Sequence, residues 1–180
     1  MASNFLQLII VDGVDKAGKS TLMSAVSKKI PGIVIKITDR PKDASPQQRE
    51  KIKDYYRTVY NFIENNPGKV FLLDRYIWSE MAYSFKRGYE ATDDPELKQM
   101  ETELMKLNHL VIFCNPSIDK ILERIKRSAD DYITEDDVAI LKGRYEKIFQ
   151  ESPLNKIELD TAKPIPQLLK LIYDKINEHK

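Results

Sequence analysis

Gly13-Val14-Asp15-Lys16-Ala17-Gly18-Lys19-Ser20 follows the apolar run Phe5–Val11 and precedes a helical pattern that opens at Lys19. The stretch satisfies G-x-x-x-x-G-K-[ST] between a strand and a helix, the setting in which that spacing forms a phosphate-binding loop. Glycine lets the backbone curl so that successive N–H groups point inward around an anion. The following helix adds the positive end of its dipole. Lys19 is placed to reach β- and γ-phosphates, and the Ser20 hydroxyl to ligate Mg²⁺. The loop residues Gly13 to Ser20, extended by Thr21, therefore point to a bound nucleoside triphosphate.

Outward from the loop, short apolar runs alternate with longer helical patterns. Strands are expected at Phe5–Val11, Val34–Ile37, Val70–Leu73, Leu110–Cys114 and Lys156–Leu159. Helices are expected at Lys19–Ile30, Arg49–Glu64, Ser79–Lys86, Pro95–Leu107, from Asn115-Pro116 onward, after Thr134, and at Pro166–Asn177. Asn115 reads as an N-cap with Pro116 at the first helical position, ahead of an apolar stripe of Ile118, Ile121, Leu122 and Ile125. Thr134 with Asp137 resembles a capping box. Val138, Leu141, Tyr145, Ile148 and Phe149 would form the buried face of the helix it opens. Strand–helix alternation implies a parallel sheet covered on both faces, with ligands at the carboxyl ends of its strands. Those ends carry Asp12-Gly13, Asp74-Arg75 and Asp160-Thr161.

The chain of 180 residues suits one domain spanning 1–180, without repeat, low-complexity tract or linker. Its composition, 42% hydrophobic and 32% charged, is that of a soluble globular protein, and the net charge of +1 points to neither nucleic acid nor a membrane surface. No run approaches the length of a membrane span. The single cysteine, Cys114, excludes an internal disulfide and reads as a small core residue. A reducing cytoplasm is the expected compartment. His109 and His179 have no partner at metal-ligand spacing and read as structural or exposed.

A second constellation, Asp74-Arg75-Tyr76, follows the strand Val70–Leu73 directly. A carboxylate there can hold Mg²⁺ directly or through water, and an adjacent arginine can grip a phosphate with two parallel hydrogen bonds. Taken with the wording from Asp12 to Thr21, and with Ser79, Ala82 and Tyr83 further on, the chain resembles the thymidylate kinase family of nucleoside monophosphate kinases. The resemblance runs through nearly the whole chain, but only those two motifs are specific.

The resemblance implies a three-layer P-loop kinase fold, a parallel five-stranded sheet with helices on both faces and a short lid near 124–134. It implies ATP with Mg²⁺ as donor, dTMP as acceptor, and a homodimer, with Trp78 and Met81 as an apolar contact or as core. Asp15 resembles a carboxylate that approaches the acceptor sugar. An acid inside a phosphate loop would repel the triphosphate, so its side chain is expected to face elsewhere. Lys16 is either a cation for the transferring group or a solvated lysine. Arg75 and Arg40 would hold the acceptor phosphate, with Arg57 a further acceptor-side arginine, although Arg40-Pro41 lacks the glycines that often follow. Tyr56, or Tyr55, is either a base-stacking ring or core, and Tyr83 would pack near the deoxyribose. Arg124 and Arg127 would close over the triphosphate, or simply end a basic helix, with Asp130-Asp131 as departures from a purely cationic lid. Thr161 and Ala162 would border the adenine. Two rivals stand: a kinase of a deoxynucleoside 5′-hydroxyl, with Asp39 as base, and a non-catalytic nucleotide-binding protein. The absence of an Asn-Lys-x-Asp motif weakens a guanine-nucleotide switch.

Overall fold

A computed structural model describes residues 6–37, 43–128 and 132–178. Five parallel strands, β1 (Leu8–Asp12), β2 (Ile33–Lys36), β3 (Phe71–Asp74), β4 (His109–Cys114) and β5 (Lys156–Leu159), form one sheet in the order β2-β3-β1-β4-β5. β1, β3 and β4 are buried throughout, as continuous apolar strands covered on both faces must be. The edge strands β2 and β5 are largely exposed or half-buried. The register pairs Val11 with Asp74 and Asp12 with Phe113, so the ends of β3, β1 and β4 line up along one rim.

Among the described residues seven helices surround the sheet: α1 (Lys19–Lys29), α2 (Pro46–Glu64), α3 (Ile77–Tyr83), α4 (Pro95–Leu104), α5 (Ile118–Arg127), α6 (Glu135–Glu151) and α7 (Ile165–Asn177). α1 packs against α7; α3 packs against α4 and α6, α2 against α4, and α5 against α6. Two helical layers thus cover the sheet.

All the expected strands and helices are present, and most differ only at their ends. α2 begins earlier, because Ser45 caps it through its side chain and Pro46 occupies the first helical turn. The helix expected over Ser79–Lys86 is instead α3 followed by a 3₁₀ turn over Ser84–Arg87. Arg144 of α6 causes the change, donating to the terminal carbonyls of Met81 and Ala82 (both 2.8 Å). Asn115 is not the cap of α5. Ser117 holds that position, accepting from Lys120 N at 3.3 Å. The Asn115 side chain reaches Glu158, Glu146 and Lys142 instead, because the chain remains extended through Pro116. Of the apolar stripe expected on α5, Ile121 is fully buried, Leu122 and Ile125 are half-buried against the core, and Ile118 is exposed. The capping box of Thr134 and Asp137 is present with both of its bonds.

Trp78 and Met81 lie in the core, and the indole N–H of Trp78 donates to Glu101 at 2.8 Å. Neither offers an apolar surface to a second copy. Cys114 is buried, which pushes its thiol up to about 12 and leaves it an inert core residue. His109 is structural: Nδ1 lies 2.8 Å from Leu107 O, and Nε2 accepts from Asn155 N. Among the described residues no helix is long and apolar enough to cross a membrane.

Candidate active site

The loop between β1 and α1 is anchored from below by a carboxylate. Asp12, fully buried at the end of β1, accepts from Gly13 N (2.8 Å), Ser79 Oγ (2.7 Å) and Tyr145 OH (2.8 Å) through one oxygen. Its other oxygen accepts from Tyr76 N at 3.2 Å. A buried carboxylate is tolerated only when so fully bonded. Asp12 thus locks the first residue of the loop to the segment after β3 and to α6. The sequence placed Asp12 at a strand end but gave no sign of this role, because two of its partners lie 67 and 133 residues away.

Gly13 has φ 142°, and a Cβ there would lie 2.6 Å from the carbonyl oxygen of Cys114. Both the backbone conformation and the space exclude a side chain. Gly13→Ala is therefore expected to destabilise the protein by roughly 2–5 kcal/mol, read as a lowered Tm, with strain and overpacking both contributing. An unchanged Tm would show that the loop is held less tightly than this contact implies. Gly18, at φ 90°, sits close beneath Thr161 and Arg124.

Lys19 is buried and donates to Val14 O at 2.7 Å, with Asp15 at 4.0 Å. Burial, with the nearby Arg75 adding to it, lowers its ammonium to about 8. A cation with so little solvation is a strong partner for any anion that enters the loop. It lines a cavity of about 560 Å³ that Ser20, Asp74, Arg75, Arg124 and Thr161 also line. Ser20 is exposed at the first turn of α1, and Asp74 is buried at the end of β3. Among the described residues no three His, Cys, Asp or Glu side chains converge to hold a metal. One hydroxyl and one carboxylate facing a phosphate cavity nevertheless suit Mg²⁺, which takes few protein ligands and completes its shell with phosphate oxygens and water.

Asp15 lines the same cavity, within 4.0 Å of Lys19, rather than facing elsewhere, and forms an ion pair with Arg75. Its backbone N–H donates to Tyr83 OH at 2.8 Å. Arg75 also donates to Ser79 Oγ (3.0 Å), and its guanidinium lies 5.5 Å from the centre of the Tyr83 ring. Arg75 has φ 74°, a left-handed conformation that costs a non-glycine residue about 1–2 kcal/mol. The surrounding bonds hold it there, which is the usual setting of strain at a functional position. Arg75 lines both the large cavity and a second, smaller pocket, whose wall includes Tyr56, Glu80, Tyr83 and Arg87.

The remaining expected residues divide. Tyr56 is 2% exposed; it is a core ring, edge-on to Tyr76 at 5.1 Å, that also reaches the smaller pocket. Tyr55 is only half-buried, beside Tyr56. Arg57 is not at the pocket. It is paired along α2 with Asp54 one turn away and Glu50 two turns away, and with Glu96 across on α4. Arg124 lines the cavity with its guanidinium engaged by backbone carbonyls. It donates to Lys16 O (3.0 Å) and Thr161 O (3.0 Å), tying the phosphate loop to the turn after β5, where Thr161 in turn donates to Ala17 O. Arg127 is 74% exposed and pairs with Glu123, although it too borders the large cavity. Lys16 donates to Ser128 Oγ at 3.2 Å. Ala162 lies in the turn after β5, its N–H donating to the Asp160 carboxylate at 3.0 Å. Asp39, Arg40, Asp130, Asp131 and His179 lie outside the described residues.

Two side chains of the smaller pocket were not singled out by sequence. Glu80 and Arg87, 5% and 6% exposed, form a buried ion pair at 2.7 Å. Tyr89 also donates to Glu80. Burial pushes the Glu80 carboxyl up, and Arg87 opposes that shift. Their spacing of seven residues across a helix and a 3₁₀ turn matches no motif, so only the fold brings them together.

No protein-family profile and no curated protein matches the chain. Solved structures do. The YorR protein of Bacillus subtilis, in complex with phosphorylated GDP, superposes with a TM-score of 0.74 at 18% identity, over 96% of this chain and 98% of that one. Thymidylate kinase from Candida albicans gives 0.66 at 21% identity, over 97% and 94%. Deoxyadenosine kinase from M. mycoides with bound dATP gives 0.57 at 20% identity, over 94% and 99%. At such identities the likeness is one of fold, and that fold is the P-loop kinase architecture expected above.

Proposed function

We propose that the protein transfers the γ-phosphoryl group of ATP to a deoxynucleoside monophosphate, dTMP being the acceptor that the sequence resemblance names. One observation carries this reading: Arg75 stands on the wall between two cavities, held by a carboxylate that the phosphate loop itself supplies. The large cavity takes the triphosphate on the loop N–H groups and Lys19. The smaller pocket takes the acceptor nucleoside, with its phosphate against Arg75. A guanidinium shared by both sites can bind the acceptor phosphate and lie beside the group in transfer.

Phosphoryl transfer needs in-line placement, neutralised charge and exclusion of water, and little covalent help. Lys19 exchanges its bond to Val14 O for phosphate oxygens. Ser20 and Asp74 would hold Mg²⁺, which neutralises charge on the β- and γ-phosphates. An ionised acceptor phosphate needs no general base. That agrees with Asp15, whose carboxylate is engaged by Arg75. A kinase acting on a 5′-hydroxyl would want a carboxylate ready to take a proton. Arg124 fixes the floor of the donor site through Lys16 and Thr161, with Ala162 beside the adenine. Arg127, at the rim of the donor cavity, and Lys16, in the loop itself, are then the further cations available to the transferring group.

The test is a panel of deoxynucleosides and their monophosphates with ATP and Mg²⁺, followed by chromatography of the products. Diphosphates are expected from monophosphates only, and chelation of the metal should abolish their formation. Monophosphates formed from nucleosides would favour the rival chemistry. Tight ATP binding with no acceptor phosphorylated would make the protein a binding module.

A further inference from the structure

The phosphate loop is held from outside, and the hold falls on two of its carbonyls. Arg124 donates to Lys16 O at 3.0 Å, and Thr161 Oγ1 donates to Ala17 O. Arg124 also donates to Thr161 O (3.0 Å) and weakly to Thr161 Oγ1 (3.4 Å), so the two residues are fixed on each other. A Cβ on Gly18 would lie 3.0 Å from Thr161 Oγ1 and 3.1 Å from the Arg124 guanidinium, so both rest directly against the loop. The chain needs holding at this point. Lys16 has φ 64° and Gly18 φ 90°, so the residues on either side of Ala17 are both left-handed, a conformation that the Lys16 side chain disfavours.

The two held peptides differ. Between Lys16 and Ala17 both ends are engaged, the carbonyl by Arg124 and the N–H by Val14 O at 3.1 Å. Between Ala17 and Gly18 the carbonyl is engaged by the Thr161 hydroxyl. In a trans peptide the N–H points opposite to the carbonyl. Thr161 therefore turns the Gly18 N–H away from itself, and Gly18 lines the large cavity beside Lys19. An N–H so aimed is one of the donors with which such a loop cradles an anion. Glycine offers little resistance to rotation of that peptide, so the hydroxyl is what fixes it.

We infer that Thr161 is a positioning residue for the donor triphosphate: its hydroxyl presets the Ala17–Gly18 peptide, and so acts on the phosphates through the loop rather than on the adenine it was expected to border. This rests on the loop being the donor site proposed above. A donor already aimed loses little freedom when the anion arrives. Without the hydroxyl the anion itself has to order the peptide, and affinity falls for whatever carries the phosphates.

Calorimetric titration of ATP, with Mg²⁺ and no acceptor, tests this in Thr161→Val and Thr161→Ser, with inorganic tripolyphosphate run in competition on each. Valine keeps the shape and loses the hydroxyl; serine keeps the hydroxyl and loses a methyl group. Thr161→Val should weaken ATP and tripolyphosphate alike by about three- to tenfold, the range of one ordinary hydrogen bond, and Thr161→Ser should restore both to within about twofold. Thr161→Ala removes the same hydroxyl from this half-buried turn and stands in if the valine variant does not fold. A merely structural bond would lower the Tm and leave both affinities unmoved, which overturns the inference. So would a loss for ATP but not for tripolyphosphate, which puts the contact on the nucleoside, or serine as damaging as valine. Phosphorylation of monophosphates together with ATP affinity indifferent to Thr161→Val leaves the kinase reading standing and this one overturned. The expected pattern of affinities with no acceptor phosphorylated does the reverse.

Discussion

Replacing Lys19 with alanine is expected to reduce turnover by roughly 10²–10³-fold or more while the protein stays folded. The magnitude is that of removing one preorganised charge donor aimed at charge that spreads in the transition state. Lys19 is a severe case of such a donor. It is 6% exposed, and burial with the neighbouring Arg75 lowers its ammonium to about 8, so little water screens it from an incoming phosphate. The effect on stability should be small because two changes oppose each other. Alanine leaves Val14 O without its 2.7 Å donor, yet removes a cation that is costly to bury. Circular dichroism and the Tm should therefore stay near those of the unsubstituted protein, within about 1–2 kcal/mol. A coupled assay for ADP reads the loss. Retained turnover would show that the loop does not cradle the transferred phosphate.

The loop was legible because its logic is local: glycine spacing followed at once by Lys19 and the Ser20 hydroxyl, within eight residues, with a strand before and a helix after. The sheet was legible for a related reason. β1, β3 and β4 are buried on both faces, so they read as unbroken apolar runs, and alternation with helices leaves a parallel arrangement. Boundaries failed where a distant side chain decides them. Arg144 ends α3 from across the domain, and no pattern near Tyr83 announces it. The cap of α5 moved to Ser117 because Asn115 found partners on α6 and β5.

Within the site, chemistry tied to a motif was visible and chemistry built by packing was not. Arg75 and Asp15 were flagged from their motifs, and the fold places them in contact. Asp12 draws donors from three segments, so its anchoring role exists only once the chain has folded. Arg57 shows the opposite case: an arginine on α2 held by acids one and two turns away instead of lining the smaller pocket. Arg124 borders the large cavity, but its bonds run to backbone carbonyls. Its two bonds, to the loop and to Thr161, make it a brace between elements rather than a moving cation.

Replacing Arg75 with alanine should harm both stability and turnover, and the two losses should separate. The substitution takes the guanidinium from Asp15, whose side chain is only 12% exposed and which keeps Lys19 at 4.0 Å. Breaking a buried pair from one side costs about 3–5 kcal/mol, and slight exposure reduces this to about 2–3 kcal/mol. It also removes the donor to Ser79 and the cation over the Tyr83 ring. Turnover should fall by roughly 10²–10³-fold, with KM rising for the monophosphate more than for ATP, because Lys19 and the loop still hold the donor. A second substitution separates the two losses. Asp15→Asn removes the carboxylate that has lost its guanidinium, so the double variant should regain most of the lost Tm. It cannot regain a guanidinium for the acceptor phosphate, so its turnover should stay low. Arg75→Lys should lie between these cases, keeping the charge but losing the two-pronged grip that a planar fork gives. If the double variant recovered activity along with stability, Arg75 would be no more than a partner for Asp15, and the phosphate would have to be held elsewhere.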